Sequence, residues 1–224
     1  MFEEAEKKIR DARIIPVATV SEEQAAIDLA KSLQNGGMSA LEITFRTAEG
    51  SKGYEKIAQC ISAVRRSCPG LTVGAGTVLN AGTASLAEQA GAQFLVSPGF
   101  NSKTVEWCLK RGVPIVPGVC TPSEIEHALE FGLTFLKLFP AEVCGGTRLL
   151  KALAGPFPQV SFLPTGGING SNFESYLSCR NTGAVGGSWM CPESLAAEKK
   201  WREIEERCQE ITARIRPECA FHPA

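Results

Sequence analysis

The chain has little histidine. Two histidines occur among 224 residues, His127 and His222, and neither belongs to an H-x-H or H-E-x-x-H pattern. No run of carboxylates has metal-ligand spacing, so no metal site is expected. An excess of one charge is also missing. Lys and Arg number 23 and Asp and Glu number 24, which leaves a formal net charge of −1. Such a chain advertises no field for polyanions, and nucleic acid is not an expected partner. No apolar run reaches the ~20 residues of a membrane-spanning helix, and no signal-like leader follows Met1. No membrane contact is expected. Nine cysteines are present but no C-x-x-C. Cys60, Cys68, Cys108, Cys120, Cys144, Cys179, Cys191, Cys208 and Cys219 are odd in number and irregularly spaced. They resemble neither a zinc ribbon nor a secreted disulfide framework. They read as reduced thiols of a cytoplasmic protein, used mainly as small hydrophobes. G-x-G-x-x-G is absent too, and no cofactor is expected.

Short apolar runs alternate with helical patterns from end to end. The strand candidates are Arg13–Thr19, Ala40–Phe45, Thr72–Gly76, Phe94–Ser97, Val113–Pro117, Phe135–Phe139, Ser161–Pro164 and Ala184–Gly187. Eight such units with intervening helices predict an α/β fold, a single closed (β/α)8 TIM barrel spanning 1–224. An open doubly wound sheet is the rival. The stripe Phe2, Ala5, Ile9 and Ala12 predicts an N-terminal helix over 1–12 that covers one end of the barrel. Ser21-Glu22-Glu23-Gln24 and Thr121-Pro122-Ser123-Glu124 have capping-box spacing and predict helix starts. Trp201, Ile204, Cys208, Ile211 and Ile215 recur at helical spacing and predict an outer helix. A partner-binding helix is the sharper reading of that stripe. Residues 218–224 are expected to form a loose tail.

Lys137 is the most informative residue. It interrupts the apolar run Phe135-Leu136-Lys137-Leu138-Phe139, which Pro140 closes. Lysine is rarely buried unless paired, because its ammonium loses hydration. Desolvation favours the neutral amine in general, and a neutral amine attacks carbonyl carbon. Schiff-base chemistry is therefore the first hypothesis. On the second candidate strand Glu42, Thr44 and Arg46 share one parity, while Leu41, Ile43 and Phe45 share the other. The polar set is expected to face the barrel interior, so Glu42 can pair with Lys137. A structural ion pair and an acid/base pair are both compatible with that placement. Arg46 falls at the strand end and offers a fork for a carboxylate. Thr77 ends Gly74-Ala75-Gly76-Thr77 and adds a hydroxyl there, and Pro98 makes a rigid turn in Ser97-Pro98-Gly99.

The anion site has a clearer mark. The seventh candidate strand runs into Thr165-Gly166-Gly167, and the eighth into Gly186-Gly187-Ser188. Loops after the last two strands of such barrels are the usual phosphate cradle. Glycines there expose backbone N–H groups, and Ser188 adds a donor.

These residues resemble the 2-keto-3-deoxy-6-phosphogluconate (KDPG) and 4-hydroxy-2-oxoglutarate (KHG) aldolase family. The matches are ALEITFRT at 40–47, VGAGTVLN at 73–80, FLVSPGF at 94–100, VPIVPGVCTPSE at 113–124, LKLFPAE at 136–142, GPFPQV at 155–160, LPTGGIN at 163–169 and GGSW at 186–189. They occur in the family's order and cover Ile15 to Trp189. The resemblance implies a homotrimeric, metal-independent class I aldolase of sugar-acid breakdown, in the Entner–Doudoroff route. Lys137 would be the Schiff-base lysine and Glu42 the general acid/base. Arg46 and Thr77 would meet the pyruvate end, with Pro98 and Phe139 as a wall and Thr165 near the substrate. Gly166, Gly167, Gly187 and Ser188 would meet the phosphate. The small-molecule partners implied are a 2-keto-4-hydroxy acid phosphate and pyruvate. A galactonate-series or KHG preference is the same-chemistry alternative, and a sugar-phosphate isomerase or epimerase is a different class. A non-catalytic sugar-phosphate binding module is a third. Two departures stand out. Thr19 occupies a place where many relatives carry arginine, and the stretch from Pro192 onward matches no motif.

Overall fold

The computed structural model describes residues 2–215. Cys219, His222 and the expected tail at 218–224 lie outside the described residues. Helix α1 (Phe2–Ala12) precedes strand β1 (Ile14–Ala18), and α2 (Glu23–Asn35) leads to β2 (Ala40–Thr44). A 3₁₀ turn at Gly50–Gly53 precedes α3 (Tyr54–Ser67) and β3 (Thr72–Gly76). Next come α4 (Ala81–Gln89), β4 (Phe94–Val96), α5 (Ser102–Arg111), β5 (Ile115–Val116), β6 (Gly118–Val119) and α6 (Pro122–Glu130). The chain continues through β7 (Phe135–Leu138), α7 (Gly146–Leu153), β8 (Ser161–Pro164), α8 (Phe173–Leu177), β9 (Val185–Gly187), α9 (Glu193–Ala197) and α10 (Trp201–Arg214).

The closed eight-stranded TIM barrel predicted from the sequence is not what forms. Six parallel strands make a curled, open sheet in the order β5-β4-β3-β2-β1-β9, and β6-β7-β8 make a separate three-stranded sheet. The reason lies at Pro117. It has no N–H to give to a ladder, and where the expected strand Val113–Pro117 ends at this proline, a second short strand follows directly after it. Ile115–Val116 pairs with β4, whereas Gly118–Val119 pairs with β7. At the other junction β8 and β9 meet only through the isolated bridges Phe162↔Thr182 and Thr165↔Gly186. The ladder is thus interrupted twice, and the half-barrel stays open.

Side-chain alternation sorts the core into two layers. On the concave side Ile15, Ala40, Phe94, Val96, Val116, Phe135, Leu163 and Ala184 pack together with Ala5 and Ile9 of α1. Helix α1 therefore covers the end of the sheet where the strands begin. On the convex side Leu41, Ile43, Phe45, Val73, Leu95, Leu136 and Leu138 join the apolar stripes of the helices. Helix α10 packs over the end of α2. A Cβ at Gly36 would stand 2.3 Å from the Cys208 Cβ, and Thr212 Oγ1 donates to the Gly36 carbonyl at 3.2 Å. Ile204, Cys208 and Ile211 are buried in that contact, so the C-terminal stripe is used inside the chain.

Helix starts follow local chemistry. Thr121 and Glu124 close a reciprocal capping box at α6, and Asn80 and Asn101 cap α4 and α5 with their side chains. The box expected at Ser21 does not form. Helix α2 begins at Glu23 behind Glu22, which makes no side-chain cap bond.

Candidate active site

Lys137 sits in the middle of β7 with Leu136 and Leu138 turned into the convex core. Its own side therefore faces inward, where it is 6% exposed. Its amine lies 3.9 Å from Glu42 Oε1 and 5.2 Å above the Phe139 ring. Glu42, on β2 of the other sheet, is 1% exposed. It packs on the backbone of β3. A Cβ at Gly76 would stand 1.9 Å from Glu42 Oε1, so only glycine leaves room for this carboxylate.

Two details of this pair agree with an acid/base role. The 3.9 Å gap is too long for a hydrogen bond. Glu42 Oε2 is buried without a hydrogen-bond partner among the described residues. A buried carboxylate pair kept for stability satisfies its lone pairs. An oxygen left open beside a nearby amine instead suits a group that accepts and returns protons. Gly76→Ala is expected to displace the carboxylate and lower kcat roughly 10²-fold, the lower limit of general acid–base contributions. Steady-state kinetics on the folded variant checks this; unchanged kcat would detach Glu42 from the chemistry.

The rim carries the remaining residues. Thr77 follows β3 with φ of +59°, a left-handed conformation that is strained for a branched residue. Pro98 is half-buried after β4, and a Cβ at Gly118 would stand 2.2 Å from its carbonyl oxygen. Arg46 is exposed. It lines a groove of about 250 Å³ with Thr19, Ser21, Thr47, Glu49 and Lys56. Among the described residues no hydrogen bond or ion pair joins Arg46 to Lys137 or Glu42. Thr19 Oγ1 is 2.9 Å from Thr44 Oγ1, and Thr44 donates to the Ala18 carbonyl at 3.2 Å. The position of Thr19 is thus filled by a neutral hydroxyl chain.

The Gly166 loop packs on Phe139, the ring that lies under the Lys137 amine. Gly166 and Gly167 adopt φ of +96° and +80°. A Cβ at Gly166 would stand 3.2 Å from the Phe139 ring, and Thr165 is buried behind it. Gly187 lies against the Trp189 ring, with 2.3 Å from its Cβ position to the ring. Ser188 is exposed. The backbone N–H groups of Gly167, Ile168 and Ser188 have no acceptor among the described residues, as an anion cradle requires.

Sequence reasoning missed the polar residues that brace this loop: Glu142, Asn172 and Tyr176. An acid directly after an apolar strand, in LKLFPAE, was the available signal for Glu142. Nothing local marks the other two. The cysteines divide into two kinds. Burial pushes the Cys60 thiol up to about 11, and those of Cys108 and Cys208 to about 12, so these are inert core groups. Cys120 and Cys144 are half-exposed neighbours near the site. His127 stands between Phe100 and Phe131 on α6, with ring centroids 4.8 and 5.2 Å away, and has a packing role.

Together these observations define a class: a parallel α/β protein holding a buried amine and a buried carboxylate beside a glycine-lined loop. The family described as KDPG and KHG aldolase matches residues 5–207. The chain belongs to the KDPG and KHG aldolase family. It is 47% identical over 186 residues to the 2-dehydro-3-deoxy-phosphogluconate aldolase of Treponema pallidum, covering 83% of this chain and 85% of that one. Among solved structures, it resembles a KDPG aldolase from Legionella pneumophila with pyruvate captured as a covalent carbinolamine intermediate. There the TM-score is 0.86 at 36% identity, covering 92% of this chain and 97% of that one. A Zymomonas mobilis 2-keto-3-deoxy-6-phosphogluconate aldolase with 3-phosphoglycerate gives a TM-score of 0.84 at 32% identity, covering 98% and 100%.

Proposed function

We propose that this protein is a class I aldolase, a carbon–carbon lyase. It cleaves 2-dehydro-3-deoxy-6-phospho-D-gluconate to pyruvate and D-glyceraldehyde 3-phosphate. The observation that carries the reading is the buried Lys137 amine facing a carboxylate with an unpartnered oxygen. The amine attacks the C2 ketone, and Glu42 moves protons as the carbinolamine forms and loses water. The iminium that results is the electron sink. The C4 hydroxyl gives up its proton to the Glu42 carboxylate, the C3–C4 bond breaks, and its electron pair flows into the iminium to give an enamine. The aldehyde departs. Glu42 returns a proton to C3, and water releases pyruvate from Lys137.

Arg46 receives the substrate carboxylate at the rim, and Thr77, Pro98, Phe139 and Thr165 shape the space around the reacting carbons. Gly166, Gly167, Gly187 and Ser188 take the phosphate. The pyruvate carbinolamine of the Legionella relative supports the lysine chemistry. The 3-phosphoglycerate of the Zymomonas relative supports a three-carbon phosphate at the distal end. KHG, which lacks a phosphate, is a second substrate of the same chemistry. The galactonate-series epimer is the alternative that differs only at C4. An isomerase or epimerase leaves a buried lysine nucleophile without a task. We assign the working form as a cytoplasmic homotrimer by family resemblance; exposed Leu79 and Val143 offer it apolar surface.

The test is incubation with pyruvate and borohydride, followed by peptide mapping. One irreversible adduct is expected, on Lys137. An adduct on another lysine, or none, sinks the mechanism. Relative turnover of KDPG, its C4 epimer and KHG then ranks the substrates.

A further inference from the structure

Two consecutive glycines are the most pliable backbone a chain can place in a binding loop. A cradle for an anion gains affinity only if its N–H groups are held in place beforehand. Gly166 and Gly167 have no side chains of their own to do this, and the restraint comes from outside the loop. The Glu142 backbone N–H donates to the Gly166 carbonyl at 3.0 Å. The Glu142 Cβ presses on Gly167, 2.4 Å from where a Cβ there would stand. Asn172 brackets the loop with its side-chain amide. Its Nδ2 donates to the Gly167 carbonyl at 3.1 Å, while its Oδ1 accepts from the Asn169 N–H at 2.8 Å. The Glu142 carboxylate joins the two restraints. It accepts from Asn172 Nδ2 at 3.5 Å and from the hydroxyl of Tyr176, which is 1% exposed on α8.

We propose that Glu142, Asn172 and Tyr176 form a clamp that positions the Gly166–Gly167 loop for the phosphate end of the substrate. The clamp ties this loop to the segment that leaves β7 just after Lys137. It thereby fixes the distance between nucleophile and phosphate cradle. Glu142 and Tyr176 are positioning residues and do not touch the reacting atoms. Burial, helped by the bond to Glu142, holds the Tyr176 hydroxyl in its protonated, donating form. The proposal rests on the aldolase reading above and adds the part that discriminates phosphorylated from unphosphorylated acids.

The experiment compares Glu142→Ala and Tyr176→Phe with the wild type. Glu142 is exposed, so its variant folds even if the buried tyrosine variant does not. KM for KDPG is expected to rise about tenfold, consistent with loss of one charge-assisted hydrogen bond and its bracing. The kcat for KDPG is expected to move less than about twofold, the signature of lost substrate binding rather than lost chemistry. Inhibition by inorganic phosphate is expected to weaken by a similar factor. The borohydride adduct with pyruvate, which has no phosphate, is expected to form at the wild-type rate. An unchanged KM for KDPG would overturn the clamp. So would an equal slowing of pyruvate trapping, which would mark these residues as general scaffold. If the wild type itself neither cleaves KDPG nor traps pyruvate, the aldolase reading fails, which is a separate outcome.

Discussion

A Lys137→Ala variant is expected to lose cleavage activity by at least about 10⁴-fold and to form no borohydride adduct with pyruvate. The loss is large because the proposed mechanism makes the amine a covalent partner, and no other lysine is buried among the described residues. Lys137→Arg separates chemistry from charge. A guanidinium preserves the positive partner of Glu42, but it stays protonated and is no nucleophile. Both variants are expected to be inactive. If Lys137→Arg kept substantial activity, the lysine would be an electrostatic partner only, and the Schiff base would be abandoned. Circular dichroism on each variant confirms that the fold survives.

Glu42→Gln is expected to lower kcat roughly 10²- to 10⁴-fold, the range of a lost general acid–base group. The amide has the same shape against Gly76, but it cannot carry the proton. A more direct readout is exchange of the pyruvate methyl hydrogens in heavy water, followed by NMR. The wild type is expected to exchange them through the enamine, and Glu42→Gln to do so far more slowly while still trapping pyruvate on Lys137. Exchange at the wild-type rate would assign the proton transfer to another group.

Local pattern was a good guide wherever the cause is local. The polar parity of Glu42 and Thr44 against Leu41, Ile43 and Phe45 is borne out by burial, whereas Arg46, expected on the same inward face, lies exposed beyond the end of β2. The charged interruption at Lys137 is a buried amine facing Glu42. Prediction failed where pairing depends on residues distant in sequence. The run Val113–Pro117 looks like one strand ended by a proline. In the fold that proline separates two strands of two residues each, too short to leave any periodic trace. Whether a series of βα units closes is decided by ladder continuity at such junctions, and no single segment encodes it. Glu142 and Tyr176, 34 positions apart, meet only because β8 and α8 fold back over the end of β7. The Ser21 box failed for a smaller reason, since the helix begins at Glu23.

The break at Pro117 has a consequence for the active site itself. Lys137 belongs to the three-stranded sheet and Glu42 to the six-stranded one. No shared ladder of hydrogen bonds fixes how far apart the proposed nucleophile and the proposed proton carrier stand. Their 3.9 Å separation spans the two sheets, so it depends on how the sheets pack against each other. Phe94, Val96, Phe135 and Leu163, drawn from both sheets, pack together on the concave side. Under the proposed mechanism the packing of the hydrophobic interior therefore also gauges the gap between amine and carboxylate, and a methyl group added or removed there is expected to change kcat.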